Sequence, residues 1–223
     1  MKKELSMRRL HAYWHGLRLL AMAAALSAAC SANAQTAAPL QKESSVTLYG
    51  GYRWGGTLTD EDTGSSVSVI SDSSYALAVD IGLDSQTQAQ LFYSRQQTAL
   101  SAQSFAPALS DAGLTIHYYH VGGTYFFEQV GKGGYVVGGI GATHASPDRS
   151  DLNSETFLSG NIGVGFMLPL GKRVGLRLEV RGYGTLIKNE SALFCGNNVG
   201  CVGAISGDAL YQGEALAGLS FRF

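Results

Sequence analysis

Eight stretches of this chain alternate apolar with polar or small residues at a period of two, and no helical 3.6-residue period competes with them. They fall at 46–58, 75–83, 88–100, 114–127, 135–143, 157–168, 174–186 and 211–223. In the last, Tyr211, Gly213, Ala215, Ala217, Leu219, Phe221 and Phe223 share one face, apolar with aromatic ends, while Gln212, Glu214, Ser220 and Arg222 lie on the other. The seventh sets Arg177, Glu179 and Arg181 against Leu176, Leu178 and Val180. The fourth is irregular: Leu114, Ile116 and Tyr118 fit one parity, and Tyr119, Val121, Tyr125 and Phe127 the other. A β-bulge near Tyr118 is expected to reconcile them.

The connections alternate in length. Long polar segments at 60–74, 101–113, 145–155 and 187–210 follow the odd strands, and short turns at 84–87, 128–134 and 169–172 follow the even ones. An even number of strands with this rhythm predicts an all-β fold: an eight-stranded, antiparallel, up-and-down transmembrane β-barrel. A secreted β-sandwich or lipocalin-like barrel shares the alternation but turns its apolar face inward, and alternation alone does not separate the two. The charged parity favours the membrane barrel, because an Arg facing mid-membrane lipid costs about 2–4 kcal/mol. Arg53, Asp80, Arg177, Glu179, Arg181 and Glu214 are therefore expected inside, with mixed signs that neutralise one another. Glu214 has an Arg within reach on either neighbouring strand. Gly163, Gly165 and Gly175 are expected to make room for the Arg side chains. The bland reading is a packed polar plug; the functional one is a narrow polar conduit.

The start of the chain adds a compartment. Lys2, Lys3, Arg8, Arg9 and Arg18 lead into a short apolar run from Leu19 to Cys30, and Ala32-Asn33-Ala34 has small-x-small cleavage character. Residues 1–34 read as a cleaved signal peptide, 35–44 as a short periplasmic segment and 45–223 as the barrel. A retained amphipathic anchor, or a lipoprotein signal ending at Cys30, are weaker alternatives. Cleavage leaves 11 Lys and Arg against 16 Asp and Glu, a net charge near −5. That balance offers no support for nucleic-acid binding.

The aromatic-ended last strand, with Leu219, Phe221 and Phe223 on one face, resembles the C-terminal signal of bacterial outer-membrane proteins. The resemblance implies recognition of that strand by the barrel-assembly machinery. Arg177-x-Glu179-x-Arg181 followed by Gly182-Tyr183, with Gly163-Val164-Gly165 in the strand before, resembles the bacterial eight-stranded outer-membrane β-barrel family, the porin-like group of OmpA membrane domains and OmpX-type and OmpW-type barrels. Its members serve in envelope integrity, adhesion, passage of small apolar compounds or lipid modification. The expectation is a monomer in contact with outer-membrane lipid and lipopolysaccharide. Its role would be structural or surface-interacting, through external loops and any extracellular ligand they meet. A narrow channel or transporter is the first alternative, and a lipid A-modifying hydrolase the second.

Catalytic and metal chemistry find little purchase. Cys195 and Cys201, six apart in the last long loop, read as a disulfide in an oxidising compartment. Two thiols without a nearby His make a poor metal site. His117 and His120 point to opposite faces of one strand unless a bulge intervenes. His144-Ala145-Ser146, with Asp148 close by, loosely echoes a hydrolase set but has no acid at a defined spacing. No catalytic residue, no metal and no cofactor is implied.

Overall fold

A computed structural model describes residues 43–59, 66–101, 113–148, 153–187, 195–196, 200–201 and 209–223. The expected signal peptide lies outside them.

Twelve strands are described: β1 Ser45–Gly55, β2 Thr57–Thr59, β3 Ser66–Val69, β4 Asp72–Gly82, β5 Thr87–Ser101, β6 Gly113–Phe126, β7 Gly133–Pro147, β8 Glu155–Pro169, β9 Val174–Leu186, β10 Cys195–Gly196, β11 Gly200–Cys201 and β12 Ala209–Arg222. The eight long ones form a ring. Each pairs antiparallel with the next long strand in the chain, and β12 returns to β1 from Ser45↔Arg222 to Gly55↔Gln212. This is a closed, up-and-down, eight-stranded barrel. Closure leaves no edge among these strands, as a sheet surrounded by hydrocarbon requires.

The faces are those of a membrane barrel. Ile162, Ile140, Leu158, Leu48 and Val121 point outward and are more than half exposed, while the inward positions carry Arg, Glu, Asp, Gln and Thr. A lipocalin-like barrel would reverse this polarity. Tyr52, Trp54, Tyr75, Tyr93, Tyr119 and Tyr211 stand outward toward the end where the long connections emerge. Tyr125, Phe127, Phe166, Phe221 and Phe223 do so toward the short turns. Two aromatic girdles flanking an apolar band match the two interfaces of a bilayer.

Several sequence expectations need correction. The first strand stops at Gly55 rather than Leu58. Gly55 and Gly56 have φ of 80° and 102°, a left-handed pair that breaks the ladder. Beyond it β2 and β3 form a hairpin, and β3 joins β5, so the segment expected as a polar loop at 60–74 contains strand. The fifth strand runs on to Pro147, because pairing with β6 continues to Leu114↔Pro147 and with β8 to Ala145↔Glu155. His144 and Ser146 are therefore strand residues rather than loop residues.

The expected bulge near Tyr118 does not exist. The β5–β6 register runs unbroken from Thr87↔Tyr125 to Ala99↔Gly113. Leu114, Ile116 and Tyr118 stay on the inward face and are buried, with exposures of 3%, 1% and 0%. The toward-loop part of the interior is apolar and aromatic there, packed with Phe157, Tyr183, Ile187 and Leu210. A second inward cluster of Phe126, Val130, Tyr135, Val137 and Met167 fills the turn end.

The first short turn is held by Asp84, whose carboxylate accepts the Gln86 and Thr87 N–H groups at 2.8 Å each. The Gln86 N–H bond in particular holds its pKa below the ordinary value.

Candidate functional site: the charged interior

Arg53, Asp80, Arg177, Glu179, Arg181 and Glu214 all point into the barrel, with exposures between 0% and 3%. They fall into two connected sets.

Toward the short turns, Arg177 Nη1 meets Asp80 Oδ2 at 2.6 Å, and its Nη2 lies 3.8 Å from Glu179 Oε2. Glu179 Oε1 receives Arg181 Nη2 at 2.6 Å, so this carboxylate bridges two guanidiniums. Gln90, directly opposite Asp80 in the β4–β5 ladder, donates to it at 2.8 Å and accepts from Arg181 across the lumen at 3.0 Å. Tyr135 donates to Glu179 at 2.9 Å and accepts from Arg177 Nε at 3.2 Å.

Toward the long connections, Arg53 Nη2 meets Glu214 Oε1 at 2.9 Å. Tyr183 donates to the other Glu214 oxygen, and Ser94 donates to Glu214 at 3.1 Å. Register explains the pairing only in part. Glu214 stands directly opposite both Arg53 on β1 and Arg181 on β12's other neighbour, β9. Arg53 takes it, while Arg181 turns to Glu179 on its own strand, to Asn161 at 3.0 Å and to Gln90.

Each guanidinium also covers an aromatic face. Arg53 lies 4.7 Å from the Tyr118 ring centroid and 5.2 Å from that of Tyr183. Arg177 lies 4.7 Å from Tyr135, and Arg181 lies 3.7 Å from Phe92. A carboxylate at the edge and a ring at the face satisfy the two chemistries of the planar group. Arg53 Nε and Nη1, Gln96 Oε1 and His120 Nδ1 have no partner among the described residues.

The glycines act differently from the expectation. A Cβ at Gly165 would strike the Tyr135 ring, and one at Gly175 would meet the Met167 sulfur. Only Gly163 lies directly against an arginine, at the Arg181 backbone. The space they leave is taken mainly by Tyr135 and Met167.

Packed in this way, Arg53, Asp80, Arg177 and Glu214 are fully buried. Inward parity alone could have found Tyr118, Tyr135 and Tyr183. Their role as arginine platforms had no sequence signal, because it depends on which strands face each other across the lumen.

The hydrolase echo does not assemble. His144 Nδ1 bonds Thr156 Oγ1 at 2.9 Å, and Ser146 Oγ bonds Ser154 Oγ at 3.0 Å. His117 and His120 occupy opposite faces: His117 bonds Tyr93 outside and His120 bonds Ser159 inside. Cys195 and Cys201 face each other in the β10–β11 register, while their side chains lie outside the described parts.

These features define a class: the fold is that of the small eight-stranded outer-membrane β-barrels. No protein-family model matches the chain, and no curated protein does. Among solved structures, Neisserial surface protein A is similar at 14% identity, over 81% of this chain and 97% of that one, with a TM-score of 0.51. The N-terminal β-barrel domain of Pseudomonas aeruginosa OprF is similar at 15% identity, over 82% and 99%, with a TM-score of 0.49. The outer membrane protein OprG of the same organism is similar at 10% identity, over 82% and 97%, with a TM-score of 0.47. At such identities the likeness is one of backbone architecture.

Arg177→Leu should leave Asp80 buried without its guanidinium, at a cost of roughly 3–5 kcal/mol. The variant should lose its heat-resistant gel mobility at a lower temperature than the parent. Unchanged resistance would remove the network from the list of stabilising elements.

Proposed function

We propose that this protein is a monomeric outer-membrane barrel with a closed interior, whose role is structural and surface-presenting rather than conductive or catalytic. The observation that carries the reading is the interior itself: three guanidiniums and three carboxylates, paired and buried at 0–3% exposure. A balanced, fully packed set of charges suits a plug better than an ion path, since eight strands enclose a space just wide enough for side chains. Contacts with an extracellular ligand then fall to the long external connections. Outward Leu219 and Phe221 on β12, with Phe223 just after it, supply the face that the barrel-assembly machinery would recognise, and lipid and lipopolysaccharide cover the apolar band.

In the same reading, residues 1–34 are a cleaved signal and Cys195 and Cys201 close a disulfide. The β10–β11 register supports the second point, because directly opposed residues of an antiparallel pair have Cα separations of about 4.5–5.5 Å, within disulfide range. One intact-mass measurement on protein from the outer membrane checks both. The expected mass is that of a chain beginning at Gln35 and about 2 Da lighter than its reduced form. A longer chain, or no change on reduction, contradicts the respective assignment.

In planar bilayers the purified barrel should give no sustained single-channel current. Reproducible unitary conductance would overturn the closed-interior reading in favour of transport.

A further inference from the structure

We infer that the outer wall of β5 to β8, near the long-connection rim, carries a binding site for the phosphate group of an acylated glycolipid in the external leaflet. The register sets Arg95, His117, His144 and Thr156 side by side across these four strands. All four lie on the outward parity, facing lipid or its headgroups rather than the lumen. His117 Nδ1 is held by Tyr93 Oη at 3.0 Å and His144 Nδ1 by Thr156 Oγ1 at 2.9 Å. The two imidazole rings stand 6.2 Å apart, each with Nε2 free of these bonds. Among the described residues Arg95 makes no ion pair, in contrast to the three interior arginines. A charged, fork-shaped donor beside two imidazoles, on a lipid-facing wall and with no carboxylate paired to it among the described residues, is complementary to a phosphate ester. A divalent cation fits poorly, because the fixed charge of Arg95 stands directly opposite His117.

The neighbouring ranks of side chains support an amphiphile rather than a free anion. One rank nearer the short turns, Tyr93 faces Tyr119, with ring centroids 5.2 Å apart. The next rank is aliphatic: Leu91, Val121 and Ile140. These five residues line an open outer groove of about 390 Å³. Basic, aromatic and aliphatic ranks in succession match phosphate, interface and acyl chain of one lipid molecule. The position selects the glycolipid, because this end bears the long connections and so faces outward. The inference rests on the outer-membrane reading above.

The test uses the barrel in nanodiscs, with Arg95→Gln/His117→Gln as the variant, and native mass spectrometry as the readout. Three lipids are offered: a bis-phosphorylated acylated diglucosamine, the same molecule without phosphates, and phosphatidylglycerol. The parent should retain the phosphorylated glycolipid roughly tenfold over the other two, the selectivity of about one charge-assisted hydrogen bond. In the variant that preference should shrink to about twofold or less. Equal retention of the dephosphorylated form means an acyl groove alone and overturns the site. Equal retention of phosphatidylglycerol overturns the commitment to a glycolipid. A preference that survives in the variant overturns the residue assignment. Heat-modifiable mobility of both proteins controls for folding. A parent that fails to insert into bilayers would sink the outer-membrane reading, whereas normal insertion without phosphate preference sinks the lipid site alone.

Discussion

The seam between β1 and β12 is the contact on which the rest of this molecule depends. In hydrocarbon an open sheet edge leaves N–H and C=O groups unpaired at several kcal/mol each, so the ring closes or the strands do not cross. Eleven register pairs make that closure, from Ser45↔Arg222 to Gly55↔Gln212. The same pairs set Arg53 opposite Glu214, so the backbone seam and one buried ion pair form together. The left-handed glycines at its end, Gly55 and Gly56, stop the seam and hand the chain to the β2–β3 hairpin.

Closure creates the second problem, a narrow interior in which charged side chains are buried. Burying an ion is costly unless its partner and its remaining hydrogen bonds are supplied. Here the partners come from distant strands: Asp80 from β4 for Arg177, Gln90 from β5 for Arg181, Ser94 from β5 for Glu214. The long guanidinium side chains also supply volume, and rings from Phe92, Tyr118, Tyr135 and Tyr183 stack against them. Polar core and packing are thus one structure. It links walls on opposite sides of the lumen, which backbone ladders alone do not connect.

Much of the architecture was legible because lipid outside and charge inside impose alternation at every residue. The bounds of β9 match the sequence expectation, since Arg177, Glu179 and Arg181 leave no choice of face. Legibility failed where the inside is also apolar. Leu114, Ile116 and Tyr118 lie on the opposite parity to Tyr119, Val121, Tyr125 and Phe127, which from sequence predicts a bulge; they instead fill an aromatic layer of the interior. Strand ends at Gly55 and Pro147 have no mark in the alternation, because the ladders stop short of the alternating stretch at one and continue past it at the other. Partner choice was open as well. Glu214 has an Arg directly opposite on each side, and only side-chain reach across the lumen decides between Arg53 and Arg181. The outward row of Arg95, His117 and His144 has no sequence signal, because it forms only when three strands are in register.

A double-mutant cycle at Arg53 and Glu214, read by equilibrium unfolding of the barrel in lipid vesicles, tests most directly the claim that seam and interior charge are one unit. Glu214→Leu alone should destabilise by about 3–5 kcal/mol by leaving Arg53 buried and unpaired, whereas Arg53→Met with Glu214→Leu should cost far less than those two single changes together. Additive costs would mean that the two side chains do not act as a pair, and would contradict the account.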